Sequence, residues 1–201
     1  GQLETVDHPK PPGGWRVLGL EQDDLALPAV QERINAPKSV RKLGLALSKD
    51  NDKSYPKDLA AALLKEHQAD TLTLVVVNRV ARAQDVYRQL LEQGKLQGRT
   101  DSNTALIHSR FREADRDKQE RILFGKGDRI VVATQAVEAG VDVSARTLVT
   151  ELAPWPSLVQ RFGRCNRYGE FKEGSVLWVN MLLGDERDDL ALPYGQDDLK
   201  A

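Results

Sequence analysis

Six short apolar runs punctuate the chain, at residues 40–47, 71–77, 104–107, 129–133, 147–152 and 176–181. All are rich in branched side chains. Val75-Val76-Val77 and Ile130-Val131-Val132 are continuous rather than alternating, the pattern of strands covered on both faces. Amphipathic stretches of helical period lie between them. Residues 57–67 follow Ser54 and Pro56, a cap and a first-turn proline. Residues 79–93 stop at Gly94, and residues 112–124 stop at Gly125. Residues 157–166 follow Pro154-Trp155-Pro156. This alternation predicts an α/β fold: a mostly parallel sheet of about six strands, with helices on both faces. Ligands of such sheets bind at loops beyond the carboxyl ends of the strands. Here those loops are Asn78-Arg79, His108-Ser109-Arg110, Thr134-Gln135 and residues 151–156.

Composition narrows the class. Hydrophobic residues make up 40% and charged residues 29%, which excludes a disordered chain. No segment approaches the ~18 apolar residues of a spanning helix. Twenty-nine Lys and Arg against 30 Asp and Glu leave a net charge of −1, so no global basic footprint points to nucleic acid. Cys165 has no partner for an internal disulfide, which suits a reducing cytoplasm. His8, His67 and His108 are far apart, and no metal-ligand spacing occurs.

The ends differ from the middle. Residues 1–38 hold five prolines and read as a linker and N-terminal extension, with one apolar run at 15–20. Residues 39–184 form the domain. Residues 185–201 carry six acids and read as a solvated acidic tail. The chain has no initiator Met and reads as a piece of something longer.

Three stretches can carry chemistry. In Gln160-Arg161-Phe162-Gly163-Arg164-Cys165-Asn166-Arg167, a continuous helix would place Gln160, Arg164 and Arg167 on one face. Two guanidinium groups and an amide pointing one way suit a polyanion such as a triphosphate. Gly163 inside that helix costs ~1 kcal/mol relative to Ala, which a close backbone approach would explain. A solvated basic face is the plain alternative. The second stretch runs from Thr134 through Gly140 to Asp142. Thr134 offers a hydroxyl and an N–H at a strand end, Gly140 permits a positive φ or the close approach of a ligand, and Asp142 can accept from sugar hydroxyls. A connecting loop with a turn glycine is the alternative. The third is Ser109-Arg110 at a helix start, a phosphate-binding arrangement; His108 beside it reads as structural. Asp185-Glu186-Arg187-Asp188 mimics the acidic Mg²⁺ motif of helicase-type ATPases. The chain nowhere contains G-x-x-x-x-G-K-[ST], so the acidic run reads as a surface loop. Trp155, between two prolines, is expected to pack against the sheet edge, with stacking on a base as the alternative.

In order and spacing, these stretches resemble the second RecA-like lobe of a superfamily-two helicase. Residues 73–83 (TLVVVNRVARA) resemble motif IV, 132–143 (VATQAVEAGVDV) motif V, and 160–167 (QRFGRCNR) motif VI. The resemblance covers roughly residues 40–182. Finer details are similar to the CRISPR-associated helicase-nuclease of type I interference systems. These are His108-Ser109-Arg110-Phe111 with Asp115-Arg116 and Glu120, Ala133-Thr134-Gln135, Leu152-Ala153-Pro154, and Pro193-Tyr194-Gly195 after the last run. The chain departs from many members at Glu138-Ala139-Gly140-Val141-Asp142, where many have a serine pair before Leu-Asp, and at Cys165-Asn166, where many have Leu-His.

The resemblance implies roles residue by residue. Arg164 and Arg167 would be arginine fingers on the γ-phosphate of ATP, bound with Mg²⁺ mainly by the first lobe. Gln160, Gly140 and Asp142 would touch the nucleotide. Thr134, Ser109 and Arg110 would contact single-stranded DNA. The partners implied are the first RecA-like lobe in cis and a CRISPR surveillance complex, with no membrane. Without a P-loop, the chain alone is expected not to hydrolyse ATP. Two alternatives stay open: a non-catalytic nucleic-acid-binding or protein-docking module, and a lobe of another superfamily-two helicase.

Overall fold

The computed structural model describes residues 22–109, 113–184 and 189–199. Six strands make one sheet: β1 (Lys38–Ser48), β2 (Leu72–Val76), β3 (Thr104–Ile107), β4 (Arg129–Ala133), β5 (Thr147–Glu151) and β6 (Gly174–Leu182). Their order is β1-β6-β5-β2-β4-β3, and every pairing is parallel. β1 lies at one edge and pairs only with β6, from Lys38 against Gly174 to Ser48 against Leu182. The α/β reading therefore holds, with the sheet parallel throughout.

The described helices are α1 (Gln22–Ala26), α2 (Pro28–Ile34), α3 (Tyr55–Glu66), α4 (Val80–Gln93), α5 (Glu113–Leu123) and α6 (Trp155–Phe162). Side chains of the strands alternate into two cores. Val75, Val77, Ile130, Val132, Leu177 and Val179 pack with Leu59 and Leu63 of α3 and Val86 and Leu90 of α4. Leu74, Val76, Val131, Ala133 and Leu148 pack with Leu123 of α5 and Phe162 of α6 on the opposite face. This is why β2 and β4 read as continuous apolar runs: neither face of the sheet there meets water. Each fully buried Leu or Val contributes ~1.5–3 kcal/mol.

Local punctuation was read correctly, but the reasons differ. Ser54 precedes α3, yet its hydroxyl bonds the Asp58 carboxylate at 3.2 Å and the Asn51 carbonyl at 3.3 Å, not a free helix amide. Gly94 ends α4 at φ −84°, outside the left-handed region. Space explains it: a Cβ there would lie 2.3 Å from Arg99 Cγ and 2.6 Å from the Leu90 carbonyl.

The described parts of both terminal segments, residues 22–38 and 189–199, carry helical turns. The stretch read as a linker contains α1 and α2. The Arg33 guanidinium lies over the Tyr168 ring at 5.4 Å, and a Cβ on Gly169 would meet the Glu32 carbonyl at 2.6 Å. The apolar run at 15–20 lies outside the described residues. In the segment read as a solvated tail, Leu190 and Ala191 are buried, and Leu190 joins the core under α3 and α4. An apolar side chain with a vacant place over the sheet is buried in spite of its acidic neighbours. Among the described residues, no helix is long and apolar enough to cross a membrane. Nor does any group of three or more His, Cys, Asp and Glu form a metal site among them.

Candidate functional site

The strand tips converge as the parallel sheet requires. Beyond β4, residues Gln135–Val137 form a 3-10 turn. Gln135 Nε2 donates to the Asn78 carbonyl at 3.1 Å, joining the tips of β4 and β2. Thr134 is buried, and its N–H continues the sheet to the Ile107 carbonyl at 3.1 Å. That N–H is therefore not open to a ligand, unlike the expectation. Ser109 is exposed at the neighbouring tip, and Arg110 lies outside the described residues. His108 is buried, in keeping with a structural role.

Gly140 adopts φ +72°, and a Cβ there would meet nothing within 4 Å. The glycine serves the turn, not a close approach within this chain. The turn delivers Asp142 to the surface. There Arg167 Nε donates to Asp142 Oδ1 at 2.8 Å. The Tyr168 hydroxyl first, and then Arg167, hold the Asp142 carboxyl below the usual carboxylate range.

The motif-VI stretch does not form one helix. α6 ends at Phe162, Gly163 caps it at φ −62°, and Asn166 turns into the left-handed region at φ +43°. A long-range contact competes with the helix: Ala145 bridges Cys165, through Ala145 N–H to the Arg164 carbonyl and Asn166 N–H to the Ala145 carbonyl, both at 2.8 Å. Gln160, Arg164 and Arg167 therefore do not share a helical face. Gln160 is exposed on α6, and the two arginines follow the helix end. Gly163 needs no close approach either, since a Cβ would meet only carbonyls at 3.4 Å.

Arg164 folds back onto the 3-10 turn. Its Nε donates to the Val137 carbonyl at 3.2 Å and Nη2 to the Glu138 carbonyl at 2.6 Å. Burial, and then Arg167 beside it, lower the pKa of its guanidinium. Arg167 stays exposed. The site thus presents one arginine anchored to carbonyls and one held at the surface by the Asp142 carboxylate and, at 3.4 Å, the Gly163 carbonyl, a pair suited to an anion brought by another surface.

Arg161 is the residue that sequence reasoning misplaced. It reads as part of a basic face, yet its side chain is wholly buried. All five N–H donors are used. Nε meets Glu138 Oε1 at 2.8 Å, Nη1 meets Thr150 Oγ1 at 2.8 Å and the Glu151 carbonyl at 3.2 Å, and Nη2 meets Asn78 Oδ1 and the Tyr194 hydroxyl, both at 3.0 Å. Glu151 is buried too. It accepts the Asn78 N–H at 2.7 Å and both contacts of Arg82 Nη1, at 3.1 and 3.2 Å. The available signal was the pair of acids, Glu138 and Glu151, placed among apolar strand ends where each needs a cationic partner.

Trp155 corrects another expectation. It is 68% exposed at the start of α6 and does not pack against the sheet edge. Pro156 in the first turn takes the backbone into the helix there, leaving the ring in solvent. The acidic run at 185–188 lies outside the described residues.

Comparison with known proteins matches residues 69–170 to the family described as CRISPR-associated nuclease/helicase Cas3, C-terminal. The CRISPR-associated helicase Cas3 of Thermoproteus tenax is 36% identical over 109 residues, covering 52% of this chain and 18% of that protein. The crystal structure of T. fusca Cas3-ATP superposes with a TM-score of 0.59 at 23% identity, over 82% of this chain and 20% of that one. A CRISPR RNA-guided surveillance complex in a pre-nicking state contains a chain with a TM-score of 0.51 and 26% identity, over 83% of this chain and 21% of that one. This chain spans less than a fifth of the length of the curated relatives it matches. The matched span holds the strand tips, the turn after β4 and the paired arginines, and with the six-stranded parallel sheet it settles the family: the chain belongs to the CRISPR-associated nuclease/helicase Cas3 C-terminal family and is a second RecA-like lobe of that helicase type.

Proposed function

We propose that this lobe completes an ATP site whose phosphate cradle lies on a separate first lobe, and that it steps along single-stranded DNA as the site opens and closes. The observation that carries the reading is Arg167, exposed and held by Asp142, beside the anchored Arg164. Both guanidinium groups would stabilise charge on the terminal phosphate, a contribution of ~10³–10⁵ in rate for such fingers. Gln160, Gly140 and Asp142 would line the nucleotide side. Ser109 and Arg110, with the Thr134 hydroxyl in place of its committed N–H, would hold the DNA backbone. The sequence has no P-loop, so the first lobe would hold most of the nucleotide and its Mg²⁺. When bound, ATP with Mg²⁺ supplies the phosphoanhydride that is cleaved and part of the charge neutralisation. The T. fusca relative named with ATP and the surveillance-complex neighbour support nucleotide use and association with a CRISPR complex.

The test pairs this lobe with a P-loop lobe and measures ATP turnover with and without single-stranded DNA. Turnover is expected only from the pair, stimulated by DNA, and abolished by Arg167→Ala. Turnover by the isolated chain, or normal turnover in Arg167→Ala, refutes the reading. A non-catalytic docking module is the second reading, favoured by the commitment of Arg164 to backbone carbonyls. It predicts DNA or protein binding with no effect of either arginine on turnover.

A further inference from the structure

Glu138 joins the turn after β4 to both ends of α6. Its Oε2 accepts from Ser157 Oγ in the first turn of α6 at 3.1 Å, and Oε1 from Arg161 Nε in the last turn at 2.8 Å. Its backbone carbonyl takes Arg164 Nη2 at 2.6 Å. One residue therefore grips the helix with its side chain and the arginine beyond the helix with its main chain. The carboxylate side chain is 15% exposed and the guanidinium it meets is fully buried. A buried ion pair of this kind adds little net stability, because desolvation offsets the attraction. It does fix geometry, since each lone pair and each N–H has one acceptable direction.

The helix end makes that geometry matter. Gly163 and the left-handed Asn166 leave Arg164 and Arg167 on an irregular segment, not on the helix itself. Arg164 finds its direction from the carbonyls of Val137 and Glu138. Those carbonyls are placed by a one-turn 3-10 segment, too short to be rigid alone. The Glu138 side chain is what ties that segment to α6.

We propose that Glu138 is the positioning residue for the arginine pair, locking the 135–138 turn to α6 so that Arg164 and Arg167 meet the terminal phosphate in a single geometry. The proposal rests on the reading of those arginines as fingers. A misplacement of ~1 Å in such a group costs about a hundredfold in rate.

The experiment uses the motor that joins this lobe to a P-loop lobe. Glu138→Ala is expected to lower kcat for DNA-stimulated ATP turnover by about 10–100-fold, with the KM for ATP moved less than about threefold. Glu138→Gln keeps one acceptor oxygen for Arg161 and can donate its amide N–H to the Ser157 hydroxyl, and is expected to retain kcat within about threefold. Hydrogen exchange on the 201-residue chain gives a second readout. Glu138→Ala should speed exchange at the amides of 163–167 and leave those of β2 and β4 unchanged. Arg164→Ala separates the two levels of the argument. If it leaves turnover intact, the finger reading fails and this proposal falls with it. If it stops turnover while Glu138→Ala retains kcat, only the positioning role is refuted. Faster exchange throughout the sheet, with equal losses in the Ala and Gln variants, would mark a merely structural residue and overturn the proposal.

Discussion

Arg167 and Asp142 meet through a 2.8 Å hydrogen bond at the surface, the guanidinium 40% and the carboxylate 70% exposed. Exposed pairs of this kind are screened by water and salt and contribute little to folding. The arginine is therefore free to exchange one carboxylate for a more highly charged anion. Arg167→Ala should shift the thermal midpoint by less than about 2 °C while removing ATP turnover from the assembled motor. Calorimetry beside the turnover assay checks both halves. A large drop in midpoint would make the residue structural.

Arg161 should behave in the opposite way. Removing its side chain strands the Glu138 carboxylate and leaves Asn78, Thr150 and Tyr194 without their shared donor. Breaking one side of a buried pair costs about 3–5 kcal/mol, so Arg161→Ala should sharply lower the urea midpoint. Arg161→Lys should recover only part, because an ammonium has three donors and cannot reproduce the planar fork. Full recovery in the lysine variant would show that charge alone matters.

His67 gives the lobe an acid sensitivity of predictable sign. Its Nδ1 lies 2.7 Å from Thr73 Oγ1 and its Nε2 2.5 Å from Asp128 Oδ1, and Arg99 Nη2 reaches the other Asp128 oxygen at 2.5 Å. Burial pushes the His67 pKa below its ordinary 6.5. Burial works against the Asp128 carboxylate, but His67 and Arg99 together hold its pKa below 3.8. Below pH 6.5 the unfolded chain takes up a proton at His67 that the folded chain resists. Stability is therefore full above that pH and falls as the pH drops, and the Asp128 contribution is lost further down in the same direction. Urea midpoints should decline from pH 7 towards pH 5, and His67→Gln should flatten that decline. A midpoint that rises on acidification contradicts the sign.

The only cysteine should be silent while the lobe is folded. Cys165 is buried, its Sγ donates to the Ser175 carbonyl at 3.5 Å, and burial pushes its thiol up to about 11. Because the thiolate is the reactive form, a thiol reagent at pH 8 should label the native chain no faster than it unfolds. Addition of urea should release one equivalent. Rapid labelling in native buffer would place the thiol at the surface.

The strands and most helices were legible because their signals are local. Val75-Val76-Val77 announces a strand covered on both faces, and the two cores on either side of it confirm why. The strand-tip loops were legible as well, which brought Asn78, Thr134 and Glu151 into view. The break after Phe162 was not. It depends on Ala145 pairing with Cys165, a contact that helical periodicity does not register. The burial of Arg161 was hidden for the same reason, since Thr150 is 11 residues away, Tyr194 is 33 and Asn78 is 83. Each guanidinium looks alike in sequence, and only distant partners decide which is buried and which stays exposed.

The place of β1 at the sheet edge bears on how the chain is made. Ser39 meets Gly174, which lies 135 residues downstream. At ribosomal rates of about 5–20 residues per second, that interval is roughly seven to thirty seconds. During it β2, β3 and β4 can already pair with one another, while β1 waits for β6 with both hydrogen-bonding edges open. A strand carrying Val40, Leu43, Leu45 and Leu47 is a ready template for other chains over that period. Yield in cells should therefore depend on what shields β1 during synthesis, and less on the stability of the finished lobe.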